Sequence, residues 1–379
     1  APAPIPPSPE MTTIPIFLQH NRMVREVRAA FEAPLGALAV GHKKDVVASD
    51  TPGKVAIYGW HRGEGQPIQP LYLGHSDRWV DYSHGVRFVH RSKEMRFEPG
   101  VRVMLDEPKT WQPNLPTRLV LYALPNGSTI EQTIGRRPKN TNEWRYDIQH
   151  IGAQTRWLRE RVRDANLVVA YLECAEKAWP AWRRTRDPKN EIIPTVVESL
   201  RSRYTNAPVK LVLTGHSGGG SFTFGYLNAL EEIPDFVERI AFLDSNYAYD
   251  GQAAKLAAWL QNPEHHLCVL AYHDSIALLN GKTFVSESGG TWGRSHAMIR
   301  DLSARMDFER ENDSEWQRAR ALGGRVQFLL KENPAKAILH TRQVEWNGFI
   351  HALLTGTEWE SKGYTYFDSR AYDDYVSGP

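Results

Sequence analysis

The spacing of hydrophobic positions changes character partway along the chain. Over residues 14–33, Ile16, Phe17, His20, Val24, Val27 and Phe31 recur near three- and four-residue intervals, which predicts a helix. Short β-like runs follow at residues 46–47, 55–58, 72–73 and 86–89, punctuated by glycine and proline. Residues 95–116 hold four prolines and read as a connector. Phe97, Val101, Val103, Met104, Leu105 and Trp111 lie within it, so it is expected to be docked rather than free.

Beyond residue 117 the runs become continuously apolar, at 118–124, 167–172, 210–214, 239–243, 267–272 and 337–344. Runs of that kind suit parallel strands covered on both faces. Between them, Ile148, Ile151, Thr155, Leu158 and Val162 fall on one helical face, as do Ile193, Val196, Val197, Leu200 and Tyr204, and a further helix is expected over 221–230. Alternating strands and helices predict an α/β class fold, a mostly parallel, doubly wound sheet with helices on both faces. The expected organisation is a proline-rich tail (1–13), a small α+β unit (14–95), a docked connector (96–116) and the α/β domain (117–379). Residues 275–333 are long for one crossover and read either as a lid or as a surface elaboration.

Composition narrows the function classes. The 379 residues carry 46 Lys plus Arg against 44 Asp plus Glu, a net charge of +2, so no basic surplus points to nucleic acid. No apolar run approaches a membrane span. Cys174 and Cys268 sit in apolar runs and are expected as reduced core thiols. The opening Ala-Pro-Ala-Pro-Ile-Pro-Pro-Ser-Pro reads as the tether of an exported protein after signal cleavage. His61, His75, Asp77, Asp81 and His84 offer nitrogen and oxygen ligands, but their spacing matches no metal motif. They are expected as hydrogen-bonded polar residues, with neither metal nor cofactor.

The most informative segment is Gly215-His216-Ser217-Gly218-Gly219, a Gly-x-Ser-x-Gly pattern between a predicted buried strand and a predicted helix. So sharp a turn requires glycine, because side chains two residues either side of the serine would strike the neighbouring strand. The serine then projects at the carboxyl edge of the sheet beside a helix N-terminus, where negative charge is favoured. A phosphate-binding loop is excluded because no Gly-Lys-Ser/Thr follows.

On the elbow and the order of strands and helices, residues 117–360 resemble the α/β-hydrolase superfamily of serine esterases, lipases and peptidases. The resemblance implies a Ser…acid…His triad in chain order and an oxyanion hole of backbone amides. The N-terminal stretch, through Tyr58-Gly59-Trp60-His61 and Asp81-Tyr82-Ser83-His84-Gly85, resembles short bacterial proteins of unknown function.

Ser217 is the expected nucleophile. The base should follow the last strand. With that strand at 337–344, Asn347-Gly348-Phe349-Ile350-His351 supplies His351, while His340 falls inside the strand. The acid is expected at Asp274, with Asp244 as the alternative and Asp301 or Asp307 behind both. The oxyanion donors are expected from Gly218 and from Asn126, Gly127 or Ser128, where the superfamily usually has His-Gly. His216 is expected to line the site. Trp179, Trp182 and Arg183 either bind a sugar face or an anion, or form a loop packed by its own tryptophans.

The function these residues predict is hydrolysis of a carboxylic ester through an acyl-enzyme, on a small-molecule or acylated-carbohydrate substrate. A peptidase or amidase with the same triad, and a non-catalytic binding protein on the same scaffold, are the alternatives.

Overall fold

The computed structural model describes residues 93–204 and 207–378, and the backbone of residues 45–48, 54–58 and 72–76. The chain divides into two units, residues 1–92 and 93–379. In the first, β1 (Asp45–Ala48), β2 (Lys54–Tyr58) and β3 (Tyr72–Ser76) form an antiparallel sheet in that order. The helix expected over 14–33, the run at 86–89 and the side chains of His61, His75, Asp77, Asp81 and His84 lie outside the described residues.

The second unit is built on a ten-stranded sheet. Its strands are β4 (Glu94–Phe97), β5 (Val101–Asp106), β6 (Thr117–Ala123), β7 (Asn166–Cys174), β8 (Val209–His216), β9 (Val237–Leu243) and β10 (His266–Tyr272). After a small hairpin of β11 (Leu278–Leu279) and β12 (Lys282–Thr283), the sheet continues with β13 (Glu309–Asn312), β14 (Trp316–Ala321) and β15 (Val326–Lys331). The order across the sheet is β13-β14-β15-β10-β9-β8-β6-β7-β5-β4. The six central strands run parallel. The two at each edge are antiparallel.

Both faces are covered. Along β6 and the residue that follows it, Leu119, Leu121 and Ala123 enter one apolar cluster while Val120, Tyr122 and Leu124 enter the other, and all six are buried. This is why these strands read as unbroken apolar runs. The first cluster is closed by α3 (Trp179–Arg186), α4 (Ile192–Arg201), α5 (Gly220–Ala229), α6 (Ala253–Trp259) and α7 (Thr291–Ser303). The second is closed by α1 (Ile130–Ile134), α2 (Ile151–Arg161) and, beyond the short α8 (Arg342–Glu345), by α9 (Gly348–Leu354). Cys174 and Cys268 are buried free thiols. Among the described residues no helix is long and apolar enough to cross a membrane.

Three features depart from the sequence reading. Residues 96–116 are not a connector throughout: half of β4 and all of β5 lie there, and β5 pairs with β7 along its full length. Residues 275–333 are not a single insertion, since they include β13, β14 and β15 of the main sheet. Residues 337–344 are not a strand. Residues 337–341 form a loop and 342–344 belong to α8, and the last parallel strand is β15, paired with β10 from Val326 to Lys331.

Chain direction across the sheet reverses at β6. From β6 the chain crosses to β7 on one side, and from β7 it returns to β8 on the other. Such a switch point opens a crevice at the carboxyl ends of the strands. The turn after β8 carries Ser217.

Candidate active site

The elbow geometry follows from its glycines. Ser217 has φ +56°, in the left-handed region that a side chain normally avoids. The turn is so tight against β6 that a Cβ at Gly215 would lie 2.7 Å from the Ala123 carbonyl oxygen, and one at Gly219 2.1 Å from the same atom. A Cβ at Gly220 would lie 1.8 Å from the Ser245 carbonyl oxygen. Only glycine permits the approach at all three positions. Helix α5 starts directly behind the serine.

Asp244 occupies the matching position one strand over. His216 pairs with Leu243 in the β8–β9 register, so Ser217 and Asp244 each extend one residue past a paired position. Asp244 is fully buried, with φ +47°. Its Oδ2 accepts a 2.5 Å hydrogen bond from His340 Nδ1, and its Oδ1 accepts one from the Thr291 hydroxyl.

His340 lies in the loop after β15, and its ring is 24% exposed. That loop packs on the elbow: the His340 ring lies 4.4 Å, centroid to centroid, from that of His216, whose Nε2 donates to the His340 carbonyl at 3.0 Å. An imidazole with Nδ1–H fixed on a buried carboxylate carries its basic lone pair on Nε2. Beside a serine hydroxyl, that arrangement can remove the hydroxyl proton and stabilise the imidazolium that forms.

His351 does not take this position. It sits within α9, 3% exposed, with Nδ1 hydrogen-bonded to the Tyr364 hydroxyl at 3.1 Å and its ring stacked on Tyr366. Burial lowers its pKa to about 4. The expectation at His351 rested on a strand at 337–344; with β15 as the last parallel strand, the loop that follows it holds His340.

Asp274 is engaged elsewhere. Its Oδ2 accepts from the Thr291 amide at 2.8 Å and its Oδ1 from the Trp292 amide at 3.4 Å, so it caps the N-terminus of α7. Burial, and then the neighbouring Asp244, push it up to about 6. Asp301 accepts from the Tyr249 hydroxyl at 3.0 Å. Asp244 is therefore the carboxylate paired with a histidine beside the elbow.

Of the residues expected as oxyanion donors, Gly218 lies in the first turn after the serine, where amides have no partner within a helix. A Cβ there would fall 1.9 Å from Asn126 Oδ1, so the Asn126 side chain rests directly on Gly218. The Gly127 amide is unsuitable, since it donates to the Lys177 carbonyl at 2.7 Å, and the Ser128 amide donates to Pro125 at 3.3 Å. Asn126 is exposed, and among the described residues its amide makes no hydrogen bond.

The remaining candidates are structural. Trp179 and Trp182 are 1% and 0% exposed and pack edge to face, with Trp182 Nε1 donating to the Pro99 carbonyl. Arg183 donates to the Ser221 carbonyl and hydroxyl and to Asn190 Oδ1, behind the elbow rather than in front of it. His216 is 1% exposed, so its ring lines the protein interior rather than a substrate path. Gln149, which bonds His216 Nδ1, and Thr291, which bonds Asp244, were not visible in the sequence as site residues. Spacing alone gives no signal for either.

No protein-family model matches the sequence, and no curated protein matches it. Solved structures resemble it at low identity. A thermostable esterase is 14% identical with a TM-score of 0.41, over 67% of this chain and 59% of its own. An IroE-like serine hydrolase from Shewanella oneidensis is 12% identical with a TM-score of 0.38, over 67% of this chain and 74% of its own. A siderophore hydrolase from Aspergillus nidulans is 12% identical with a TM-score of 0.37, over 67% of this chain and 90% of its own. The chain thus spans 59% of the length of the thermostable esterase. Its own strand order, its mostly parallel sheet covered by helices on both faces and the Ser217 turn after β8 place it in the α/β-hydrolase fold.

Proposed function

We propose that the protein is a serine hydrolase that cleaves carboxylic esters, with Ser217 as nucleophile, His340 as base and Asp244 as the acid that orients it. The observation that carries this reading is the 2.5 Å bond from His340 Nδ1 to buried Asp244, in a loop packed on the Ser217 elbow. His340 Nε2 takes the Ser217 proton as Oγ attacks the acyl carbon. The amides of Gly218 and Asn126 hold the oxyanion. The proton passes to the leaving alcohol, and water then releases the acyl group by the same route in reverse.

Labelling with a fluorophosphonate tests the reading. It should modify Ser217 stoichiometrically and stop turnover of p-nitrophenyl acetate, and Ser217→Ala should abolish both. Absence of labelling in a protein that remains folded, or full turnover in Ser217→Ala, refutes it.

A further inference from the structure

A buried hydrogen-bond chain runs from β6 to the loop after β15. The Tyr122 hydroxyl donates to Gln149 Oε1 at 2.8 Å, and Gln149 Nε2 lies 2.9 Å from His216 Nδ1. His216 Nε2 lies 3.0 Å from the His340 carbonyl oxygen. Tyr122, Gln149 and His216 are 0%, 4% and 1% exposed. The direction of the chain is fixed by its two ends. A carbonyl only accepts, so His216 Nε2 must carry the proton toward His340. The Tyr122 hydroxyl donates to Oε1, so the Gln149 amide turns its N–H toward Nδ1, which therefore holds a lone pair. One neutral tautomer of His216 satisfies every group.

We propose that His216 is the positioning residue of the base: through its Nε2–H bond to the His340 carbonyl and its ring contact with His340, it holds the post-β15 loop against the Ser217 elbow. This rests on the reading of His340 as base. The residue before the nucleophile is joined by one hydrogen bond to the residue that activates it, so Ser217 and His340 share a reference point although they lie 123 positions apart in the chain. The requirement for neutrality has a second consequence. A charged ring at His216 would oppose the imidazolium that forms on His340, 4.4 Å away between centroids. Burial, and then His340 itself, hold His216 well below the ordinary histidine range, so only His340 gains charge during turnover.

The test compares His216→Phe, His216→Gln, Gln149→Leu and His340→Ala in the full chain, by kcat and KM for p-nitrophenyl acetate. Phenylalanine keeps the ring and loses both hydrogen bonds; glutamine places an N–H near the Nε2 position. His216→Phe should lower kcat by about 10- to 100-fold, the scale of a displaced catalytic group, and leave KM within about twofold. His216→Gln should recover most of that loss, and Gln149→Leu, which frees the tautomer, should fall between. Should His216→Phe fail to fold, the order wild type, then His216→Gln, then Gln149→Leu carries the same test. Wild-type kcat in His216→Phe or in Gln149→Leu, or no recovery in His216→Gln, overturns the positioning role even if His340→Ala is inactive. An active His340→Ala overturns the base assignment and the positioning role with it.

Discussion

Asp244 and Asp274 are bridged by a single hydroxyl. Thr291 Oγ1 donates to Asp244 Oδ1 and lies 3.2 Å from Asp274 Oδ2, and both carboxyl groups are buried. A hydroxyl has one proton, so the two acids are not equivalent. Asp244 receives it together with the Nδ1–H of His340, while Asp274 is held by the amides that open α7.

This division predicts unequal effects on turnover. Asp244→Asn should lower kcat by about 10⁴-fold, the scale reached when the group behind the imidazole no longer fixes its tautomer. Asp274→Asn keeps the shape of the helix cap and should cost less than about tenfold. Steady-state kinetics of both variants on one substrate decide the matter, and the reverse ranking would return Asp274 to the acid position.

The same pair predicts a pH signature in stability. Asp274 titrates at about 6 in the fold, against roughly 3.9 in an unfolded chain. Between those values the folded protein keeps a proton that the unfolded chain has lost. This group's contribution to stability therefore declines as pH rises through that window, and the cost is fully present above it. Asp274→Asn removes the titration. Urea midpoints measured from about pH 4 to pH 7 should move in favour of the variant as pH rises, whereas a constant offset would count against a raised Asp274.

Gly218 and Asn126 form a coupled pair. A Cβ at Gly218 would lie 1.9 Å from Asn126 Oδ1. Gly218→Ala must therefore displace the Asn126 side chain that rests on the turn and should lower kcat, by at most about the 10²- to 10³-fold that losing an oxyanion donor costs. Trimming the obstacle in the double variant Gly218→Ala/Asn126→Ala should restore part of that rate, so the two changes should not be additive. Strict additivity in a double-mutant cycle would show that the two sites act separately.

Trp182 is predicted to matter for stability and not for substrate. It is fully buried, with its indole N–H on the Pro99 carbonyl. Trp182→Ala should cost about 3–5 kcal/mol in urea unfolding. KM for a neutral ester should stay unchanged at a temperature where the variant is folded. A raised KM with little loss of stability would instead mark it as a binding residue.

The contrast between what the sequence revealed and what it concealed has a physical basis. The runs at 118–124, 167–172, 210–214, 239–243 and 267–272 were legible because strands covered on both faces leave no polar alternation to confuse them. The elbow was legible because Ala123, on the neighbouring strand, tolerates only glycine at 215 and 219. The last strand was hidden. Residues 326–330 read Val-Gln-Phe-Leu-Leu between Arg325 and Lys331, whereas 337–344 offers Ala, Ile, Leu and Val in a segment whose Ile338 is 45% exposed. With the last strand taken at 337–344, the loop after it offers His351; with β15 as the last parallel strand, it offers His340. The spacing of Trp179 and Trp182, three apart, was itself a sign of one buried helical stripe, which the adjacent arginines obscured.

In the proposed mechanism His340, held by Asp244, activates Ser217. The most direct measurement is the turnover of His340→Ala set against that of His351→Gln, with folding of both verified by circular dichroism. His340→Ala should lose about 10⁴-fold or more in kcat, while His351→Gln, altered only in the packing beneath α9, should stay within about tenfold of wild type. An active His340→Ala beside an inactive, folded His351→Gln would contradict that mechanism.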